Sequence, residues 1–222
     1  MTFPAVIARL EAALASQLPG AAAHALLSPR PRRPWPGGFP PDPGSVRQAA
    51  GLLIAFPVDH QAHILLTVRA GGLERHGGQV SLPGGVSEPG ETLTQAALRE
   101  AREEVGLPSE KVRVLGALTP LDTPVSGFRL QPIGAALDPL PRLVPAAGEV
   151  ARILHVPLEM LFDPSRLLTV ERTRDGHEVL VPAFHVCGVE IWGATAMVLA
   201  EFLTLIGWQG PQDLVLSTPP HG

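Results

Sequence analysis

The feature that constrains this chain most is an acidic helix end behind a glycine-rich loop. Glu100, Glu103 and Glu104 stand at i, i+3 and i+4 spacing, so a helix places their carboxylates on one face. Gly106, with a proline two residues later, predicts that the helix ends there. Three neighbouring carboxylates repel one another and oppose the helix dipole at this end. A cation offsets that charge, and Mg²⁺ prefers such oxygen ligands.

Alone, three such glutamates are more typical of an acidic face in contact with solvent, and the residues around them reverse this interpretation. Gly85 precedes Glu91 by six positions, and Arg99 follows eight positions later. The remaining fixed positions of the pattern G-x5-E-x7-R-E-U-x-E-E-x-G-U, where U is apolar, are filled by Glu100, Glu103, Glu104, Gly106 and Leu107. The segment therefore resembles the Nudix box, with Ala101 as a small residue at its first apolar position.

This resemblance implies an α+β fold in which a mixed β-sheet is sandwiched between α-helices. It implies Mg²⁺ or Mn²⁺ bound by Glu100, Glu103 and Glu104 together with the carbonyl of Gly85. It also implies that Glu91 stabilises the helix and is not a primary ligand. Independently of the family, Arg99 lies four residues before Glu103 and can hold that carboxylate in one rotamer.

The implied activity is hydrolysis of a diphosphate bond inside a nucleotide derivative. Metal ions neutralise the diphosphate oxygens and lower the pKa of a bound water, so the protein mostly positions the reactants. The candidate catalytic residues are Glu103, Glu104, Glu149 and Arg99. The general base stays open between a glutamate of the box and Glu149, which belongs to a later loop.

The residues before the box carry a second resemblance, to the coenzyme A pyrophosphatase branch of the family. Residues 65–85 (LLTVRAGGLERHGGQVSLPGG) are similar to its pattern L-L-T-x-R-S-x3-R-x3-G-x3-F-P-G-G. Three positions depart from that pattern: Ala70, Glu74 and Leu82. Glu74 matters most, because a carboxylate repels the substrate phosphate that an arginine would bind.

Four residues of this segment are candidates for substrate binding: Arg69, Arg75, His76 and Gln79. Arg75 replaces the missing arginine if the loop shifts by one residue. His76 either contacts a phosphate or only faces solvent. The expected substrate is coenzyme A or a derivative, with NADH or ADP-ribose as alternatives. A Nudix-fold module that binds a nucleotide without catalysis is a further alternative, which the complete box disfavours.

Composition limits the partners. The net charge is −4 and the pI about 6.0, so the chain lacks the basic surface expected of a nucleic-acid-binding protein. No apolar run reaches the length of a membrane span, and the start of the chain has no basic signal-peptide region. The single cysteine, Cys187, fits a reducing compartment, and the apolar run 184–189 predicts that it is buried in a strand. We expect a cytoplasmic protein.

The chain divides into three parts in this interpretation. Residues 1–46 form an N-terminal helix over residues 4–18 and a Pro-rich arm over 29–44. The arm lies on the domain, binds a partner, or is exchanged within a homodimer. Residues 47–207 form the hydrolase domain, and 208–222 a tail. Strands are expected at 51–57, 63–69, 112–118, 132–137, 178–187 and 189–192, with a helix at 194–206.

Overall fold

A computed structural model of the chain describes residues 1–31, 46–71, 78–123, 127–174 and 177–211. The helices are α1 (Phe3–Leu14), α2 (Ala21–Leu26), α3 (Leu93–Val105), α4 (Leu158–Phe162) and α5 (Gly193–Leu205). The strands are β1 (Arg47–Val58), β2 (Gln61–Arg69), β3 (Val80–Ser81), β4 (Gly84–Val86), β5 (Arg113–Ala117), β6 (Leu121–Thr123), β7 (Phe128–Ala136), β8 (Val150–Pro157), β9 (Leu167–Arg174), β10 (His177–Val186) and β11 (Val189–Ile191).

Eight of these strands form one mixed sheet. Its central order is β3-β2-β1-β7-β5, while β4 pairs with β1, β6 with β7, and β8 with β2. Strand β1 runs parallel to β7 and antiparallel to β2 and β4. The remaining three strands form a second, antiparallel sheet in the order β11-β10-β9. The mixed sheet lies between helices, so the predicted α+β architecture is confirmed.

Strand β1 supplies both faces of the core. Leu52 and Ile54 pack with the apolar residues of α3, whereas Leu53 and Ala55 pack with α1 and α5 on the opposite face. A strand covered on both faces is expected to be apolar throughout, and this one is buried from Ala49 to Phe56. The predicted strands at 51–57 and 63–69 are confirmed, and β1 begins four residues earlier. Their two-residue turn, at Asp59 and His60, is left-handed at both positions (φ 48° and 64°).

Helix α1 is shorter than its sequence predicts. The expected span was 4–18, but the helix ends at Leu14 because the Ser16 backbone N–H and hydroxyl both donate to the carbonyl of Ala13 (3.0 and 2.8 Å). Val6 and Leu10 are fully buried in the core that α5 shares. The first 31 residues therefore pack on the same body as the rest of the described chain. In the described stretches, no helix combines the length and apolar character needed to cross a membrane.

A buried carboxylate ties the N-terminal segment to this body. Glu201 of α5 is fully buried and accepts hydrogen bonds from the backbone N–H of Gly20 (3.2 Å) and from Nε2 of His24 (3.1 Å). The backbone N–H and hydroxyl of Thr119 also donate to it, at 3.0 and 2.6 Å. These bonds join α2, the segment after β5, and α5. The domain boundaries at 46 and 207 stay predictions, because residues 32–45 and 212–222 lie outside the described residues.

Cys187 is not placed in a buried strand, as its apolar neighbours suggested. It occupies the turn between β10 and β11 in a left-handed conformation (φ 53°) and is only half-buried. Gly188 follows it and lets the two strands reverse within two residues.

Candidate active site

Helix α3 is fixed at both ends by residues of the glycine- and glutamate-rich segment. At its start, the Thr92 hydroxyl accepts from the N–H of Gln95 (3.2 Å), while the Thr92 N–H donates to the Gln95 side chain (2.9 Å). This capping box has a sequence signature, T-x-x-Q, from which it could have been predicted but was not. At its end, Gly106 adopts the left-handed conformation (φ 68°) that the sequence predicted. The acidic face is thereby held at a fixed angle to the loop before it.

Arg99 connects this loop to the helix. Its guanidinium donates two hydrogen bonds to Glu91 (3.0 and 3.1 Å), and one each to Glu100 (2.9 Å), Glu103 (3.1 Å) and the carbonyl of Val86 (3.0 Å). The predicted pairing with Glu103 is present, but it is one of four partners. The hydrogen bonds from Arg99 also lower the pKa of Glu91, which stays ionised. Glu91 therefore contacts Arg99, in keeping with a helix-stabilising role.

Two glycines let the loop lie directly against the sheet and the helix. A Cβ atom at Gly85 would lie 2.4 Å from a carboxylate oxygen of Glu100, so the backbone here touches the acidic face. A Cβ atom at Gly84 would lie 2.2 Å from the carbonyl oxygen of Ala50 in β1. The backbone contact excludes a side chain at Gly84, whereas a side chain at Gly85 would require the Glu100 carboxylate to move. The carbonyl predicted as a ligand, that of Gly85, thus belongs to a residue in contact with Glu100.

Glu104 is the buried member of the acidic face, with 5% of its surface exposed. Burial raises its pKa to about 7, helped by the nearby charges of Glu100 and Glu149. The N–H of Gly84, which donates to Glu104 at 3.2 Å, and the guanidinium of Arg69, at 3.8 Å, act in the opposite direction. The carboxylate therefore lies where additional positive charge would stabilise its ionised form.

Arg69 stands at the end of β2, where three segments meet. Its N–H donates to the carbonyl of Gln79 and its carbonyl accepts from the N–H of Gly78, both at 2.9 Å. The N–H of Ala70 donates to the carbonyl of Glu149 at 2.8 Å. These bonds bring two further predicted residues, Gln79 and Glu149, to the strand end that carries Arg69. Backbone pairing, invisible to local sequence patterns, produces this grouping.

The structure accordingly brings eight of the ten predicted site residues into one region: Gly85, Arg99, Glu100, Glu103, Glu104, Arg69, Gln79 and Glu149. The other two, Arg75 and His76, lie outside the described residues, as does the departing Glu74.

The donors of this region fit a hard divalent cation by their chemistry, since three carboxylates share one helix face and one of them has a raised pKa. Across the described ranges, no three His, Cys, Asp or Glu side chains come close enough together to hold a metal ion. Glu100 and Glu103 instead accept hydrogen bonds from Arg99, and Glu104 accepts from the N–H of Gly84. The ligand set stays a prediction.

Comparison with known proteins decides the family. A family model of the NUDIX domain matches residues 46–152. The uncharacterized Nudix hydrolase NudL of Pectobacterium atrosepticum is 37% identical over 158 residues, which cover 70% of this chain and 80% of that protein. The chain belongs to the Nudix hydrolase family. The NudL protein of Photorhabdus laumondii is 35% identical over 167 residues, covering 73% of this chain and 89% of that protein.

Among solved structures, the Nudix hydrolase RenU of M. smegmatis is 30% identical, with a TM-score of 0.45 over 52% of this chain and 73% of that chain. Membership of the family gives the coarse activity of this Nudix hydrolase, which acts on a small nucleoside diphosphate derivative. Nudix hydrolases use divalent metal ions such as Mg²⁺ or Mn²⁺.

Proposed function

We propose that this Nudix hydrolase cleaves the diphosphate bond of coenzyme A, or of a derivative, to 4′-phosphopantetheine and adenosine 3′,5′-bisphosphate. The observation that carries the proposal is the position of Arg69. This arginine belongs to the segment that resembles the coenzyme A branch, and its guanidinium lies 3.8 Å from Glu104 of the Nudix box. The branch-specific residue and the family-wide residue therefore form one site.

Each group of this site has a task that its surroundings support. Glu100, Glu103 and Glu104, with the carbonyl of Gly85, would hold Mg²⁺ or Mn²⁺, which would supply positive charge near the diphosphate and a water molecule of lowered pKa. Arg69 binds a non-bridging phosphate oxygen through its partly exposed guanidinium. Arg99, through its bonds to Glu91 and Val86, keeps the helix and the loop at a constant separation.

Glu149 is our proposed general base. Its side chain is exposed, so it is accessible to the attacking water, and its charge is close enough to raise the pKa of Glu104. The backbone bond from Ala70 to its carbonyl (2.8 Å) fixes it beside the end of β2. If Glu149 has no such role, Glu103 is the next candidate, because it is the exposed glutamate of the box.

A second substrate class, NADH or ADP-ribose, is favoured by one observation in the sequence. Glu74 stands where the coenzyme A branch has an arginine, which removes a cation and adds an anion at the expected phosphate contact. Arg75 beside it, together with His76 and Gln79, completes the proposed substrate-binding set. The cytoplasmic location and the homodimer that exchanges the Pro-rich arm stay predictions.

The test is incubation of the purified protein with coenzyme A, NADH and ADP-ribose in separate reactions containing Mg²⁺ or Mn²⁺. Products are identified by mass spectrometry. Release of 4′-phosphopantetheine from coenzyme A at the highest kcat/KM of the three supports the proposal. Preference for either of the other two substrates overturns it and favours the second class. The Glu104→Gln variant, assayed in parallel, separates cleavage by this site from cleavage by a contaminating enzyme.

A further inference from the structure

An irregular segment lies across the end of the helix that carries the acidic face. The last six residues between β7 and β8, 144–149, form neither helix nor strand, and five of them are exposed. We call them the 144–149 segment. The N–H of Val144 donates to the carbonyl of Val105 (3.0 Å), and that of Ala146 donates to the carbonyl of Glu104 (2.8 Å). The segment is therefore bonded to α3, although it lies at the surface.

These two bonds complete the last turn of α3. The last four carbonyls of a helix have no partner inside the helix. Two of the four here, those of Glu104 and Val105, accept from the 144–149 segment. A Cβ atom at Gly106, the residue after the helix, would lie 3.6 Å from the backbone of Val144. The segment thus packs directly on the helix end and is fixed to the turn that carries Glu104.

Ala146 connects the proposed metal ligand Glu104 to the proposed general base Glu149. Its N–H donates to Glu104, while its carbonyl accepts from the N–H groups of Glu149 (3.3 Å) and Val150 (3.0 Å). The turn from Ala146 to Glu149 has a positive φ at its third residue, Gly148 (φ 84°). A turn of this kind favours glycine at that position, because other residues rarely adopt such a conformation. One residue therefore links the backbones of the two glutamates.

A second path joins the same two glutamates through the end of β2. The carbonyl of Glu149 accepts from the N–H of Ala70 (2.8 Å). The residue before Ala70 is Arg69, whose guanidinium lies 3.8 Å from the carboxylate of Glu104. The two paths form a closed ring in which each glutamate is held from two sides. Catalytic groups depend on such supporting bonds to stay at a productive separation.

We propose that Ala146 and Gly148 are positioning residues, which set the separation of Glu149 from Glu104. This inference rests on the proposed function, in which Glu149 is the general base. Ala146 acts through its peptide groups and Gly148 through its conformation, so neither needs to touch the substrate. Glu149 is exposed and follows a loop, and without the ring its carboxylate would sample many positions relative to the attacking water. A misplacement of about 1 Å can cost roughly 100-fold in rate.

Gly148→Ala tests this role without adding a steric contact. A Cβ atom at Gly148 would meet no atom of the described residues within 4 Å beyond its chain neighbours. Gly188→Ala is the matched control, because Gly188 has a similar φ (71°) and equally open surroundings in the turn between β10 and β11. We expect Gly148→Ala to lower kcat roughly 10- to 100-fold and to change KM less than about two-fold. Gly188→Ala should leave both parameters unchanged, although both variants lower the melting temperature alike. Equal kcat values of the two variants overturn the inference.

A double-mutant cycle tests whether the 144–149 segment acts through Glu149. In the Glu149→Gln background, where the base is already lost, adding Gly148→Ala should lower kcat no further. A further loss as large as in the wild-type background overturns the inference, because the segment would then act on another group. Rates are measured on whichever of coenzyme A, NADH and ADP-ribose is cleaved fastest, so failure of coenzyme A as the substrate leaves the cycle intact. Full activity of Glu149→Gln alone overturns the inference together with the assignment of the base.

Hydrogen exchange measured by NMR provides a test that requires no turnover. The N–H of Ala146 is expected to exchange slowly in the wild-type protein and roughly 10-fold faster in Gly148→Ala, because the turn that holds it is then strained. Gly188→Ala should leave this exchange unchanged. Equal exchange of the Ala146 N–H in the wild-type protein and in Gly148→Ala overturns the inference, whichever nucleotide the protein cleaves.

Discussion

The guanidinium of Arg69, at the end of a strand, lies 3.8 Å from the carboxylate of Glu104, in the last turn of a helix. Glu104 is buried and has a raised pKa, so Arg69 is the cation that opposes its protonation most directly. The arginine is about one-third exposed, which leaves donors for a ligand. Arg69 thus has two proposed roles: it stabilises the carboxylate of Glu104, and its exposed donors can bind a substrate phosphate.

Removing Arg69 is therefore expected to impair turnover without unfolding the protein. We expect Arg69→Gln to lower kcat/KM by roughly 10- to 100-fold, the contribution of a hydrogen bond to a charged group. Steady-state kinetics on the cleaved substrate measures the change. Arg102→Gln, an exposed cation on α3, is the matched control. Equal activity of the two variants would remove Arg69 from the site.

Replacing Glu104 with its neutral isostere separates chemistry from folding. We expect Glu104→Gln to lower kcat at least about 100-fold if Glu104 is a metal ligand as proposed, because a neutral amide binds a divalent cation more weakly than a carboxylate does. The melting temperature should hold or rise, since the variant no longer buries an ionised group. Differential scanning calorimetry with and without Mn²⁺ provides a second measurement, in which the variant should lose stabilisation by the metal. Near-normal rates in Glu104→Gln would contradict the proposed set of metal ligands.

Local sequence patterns predicted correctly those helix ends and strands whose own residues form a recognisable pattern. Gly106 ends α3 as predicted, because a residue in the left-handed conformation terminates a helix. The apolar runs at 51–57 and 63–69 predicted strands, and both strands are largely buried. Strands β8 and β9 were missed. Charged Arg152 and exposed His155 interrupt the apolar pattern of β8, which is a strand because it pairs with β2. Pairing between distant segments has no local signature.

The same distinction holds within the site. The pairing of Arg99 with Glu103 followed from helical spacing, which is a local property. The neighbourhood of Arg69, Glu104 and Glu149 followed only from the resemblance, because it depends on how β2, β8 and α3 meet in the fold. The conformation of Cys187 was wrongly predicted because its apolar neighbours belong to two different strands.

The two adjacent glycines of the loop predict opposite phenotypes. In Gly85→Ala, the new Cβ meets the Glu100 carboxylate at 2.4 Å, so this flexible side chain moves, and the affinity for Mn²⁺ should fall with little loss of stability. In Gly84→Ala, the Cβ meets the backbone of Ala50 at 2.2 Å, and we expect destabilisation of about 3 kcal/mol. Chemical denaturation and metal titration measure both. Equal destabilisation of the two variants would contradict the contact between Gly85 and Glu100.

The proposed general base is tested by its neutral isostere. We expect Glu149→Gln to lower kcat by roughly 100- to 1,000-fold, the contribution of a positioned base that removes a proton from the attacking water. Glu110→Gln, an exposed carboxylate on the 3₁₀ turn Ser109–Lys111, is the control. An unchanged rate at every pH would transfer the role of base to Glu103.

The buried Glu201 predicts how stability depends on acid. Burial by itself raises the pKa of this carboxyl, but the hydrogen bonds from His24 and Thr119 outweigh it and leave the pKa below its ordinary value of 4.5. A group whose pKa is lowered by folding stabilises the folded state above its unfolded pKa, and this contribution is lost as the pH falls through the folded value. We expect Glu201→Gln to lower the free energy of unfolding by about 3 kcal/mol at pH 7, because the amide cannot accept all the hydrogen bonds from Gly20, His24 and Thr119 and leaves buried donors unpaired. The difference from wild type should shrink below pH 4.5.

Unfolding by guanidinium chloride between pH 7 and acid measures this difference, with Glu110→Gln as the exposed control. If the difference in free energy of unfolding between wild type and variant stayed constant from pH 7 to acid, the variant would lose stability through packing and not through the charge of Glu201.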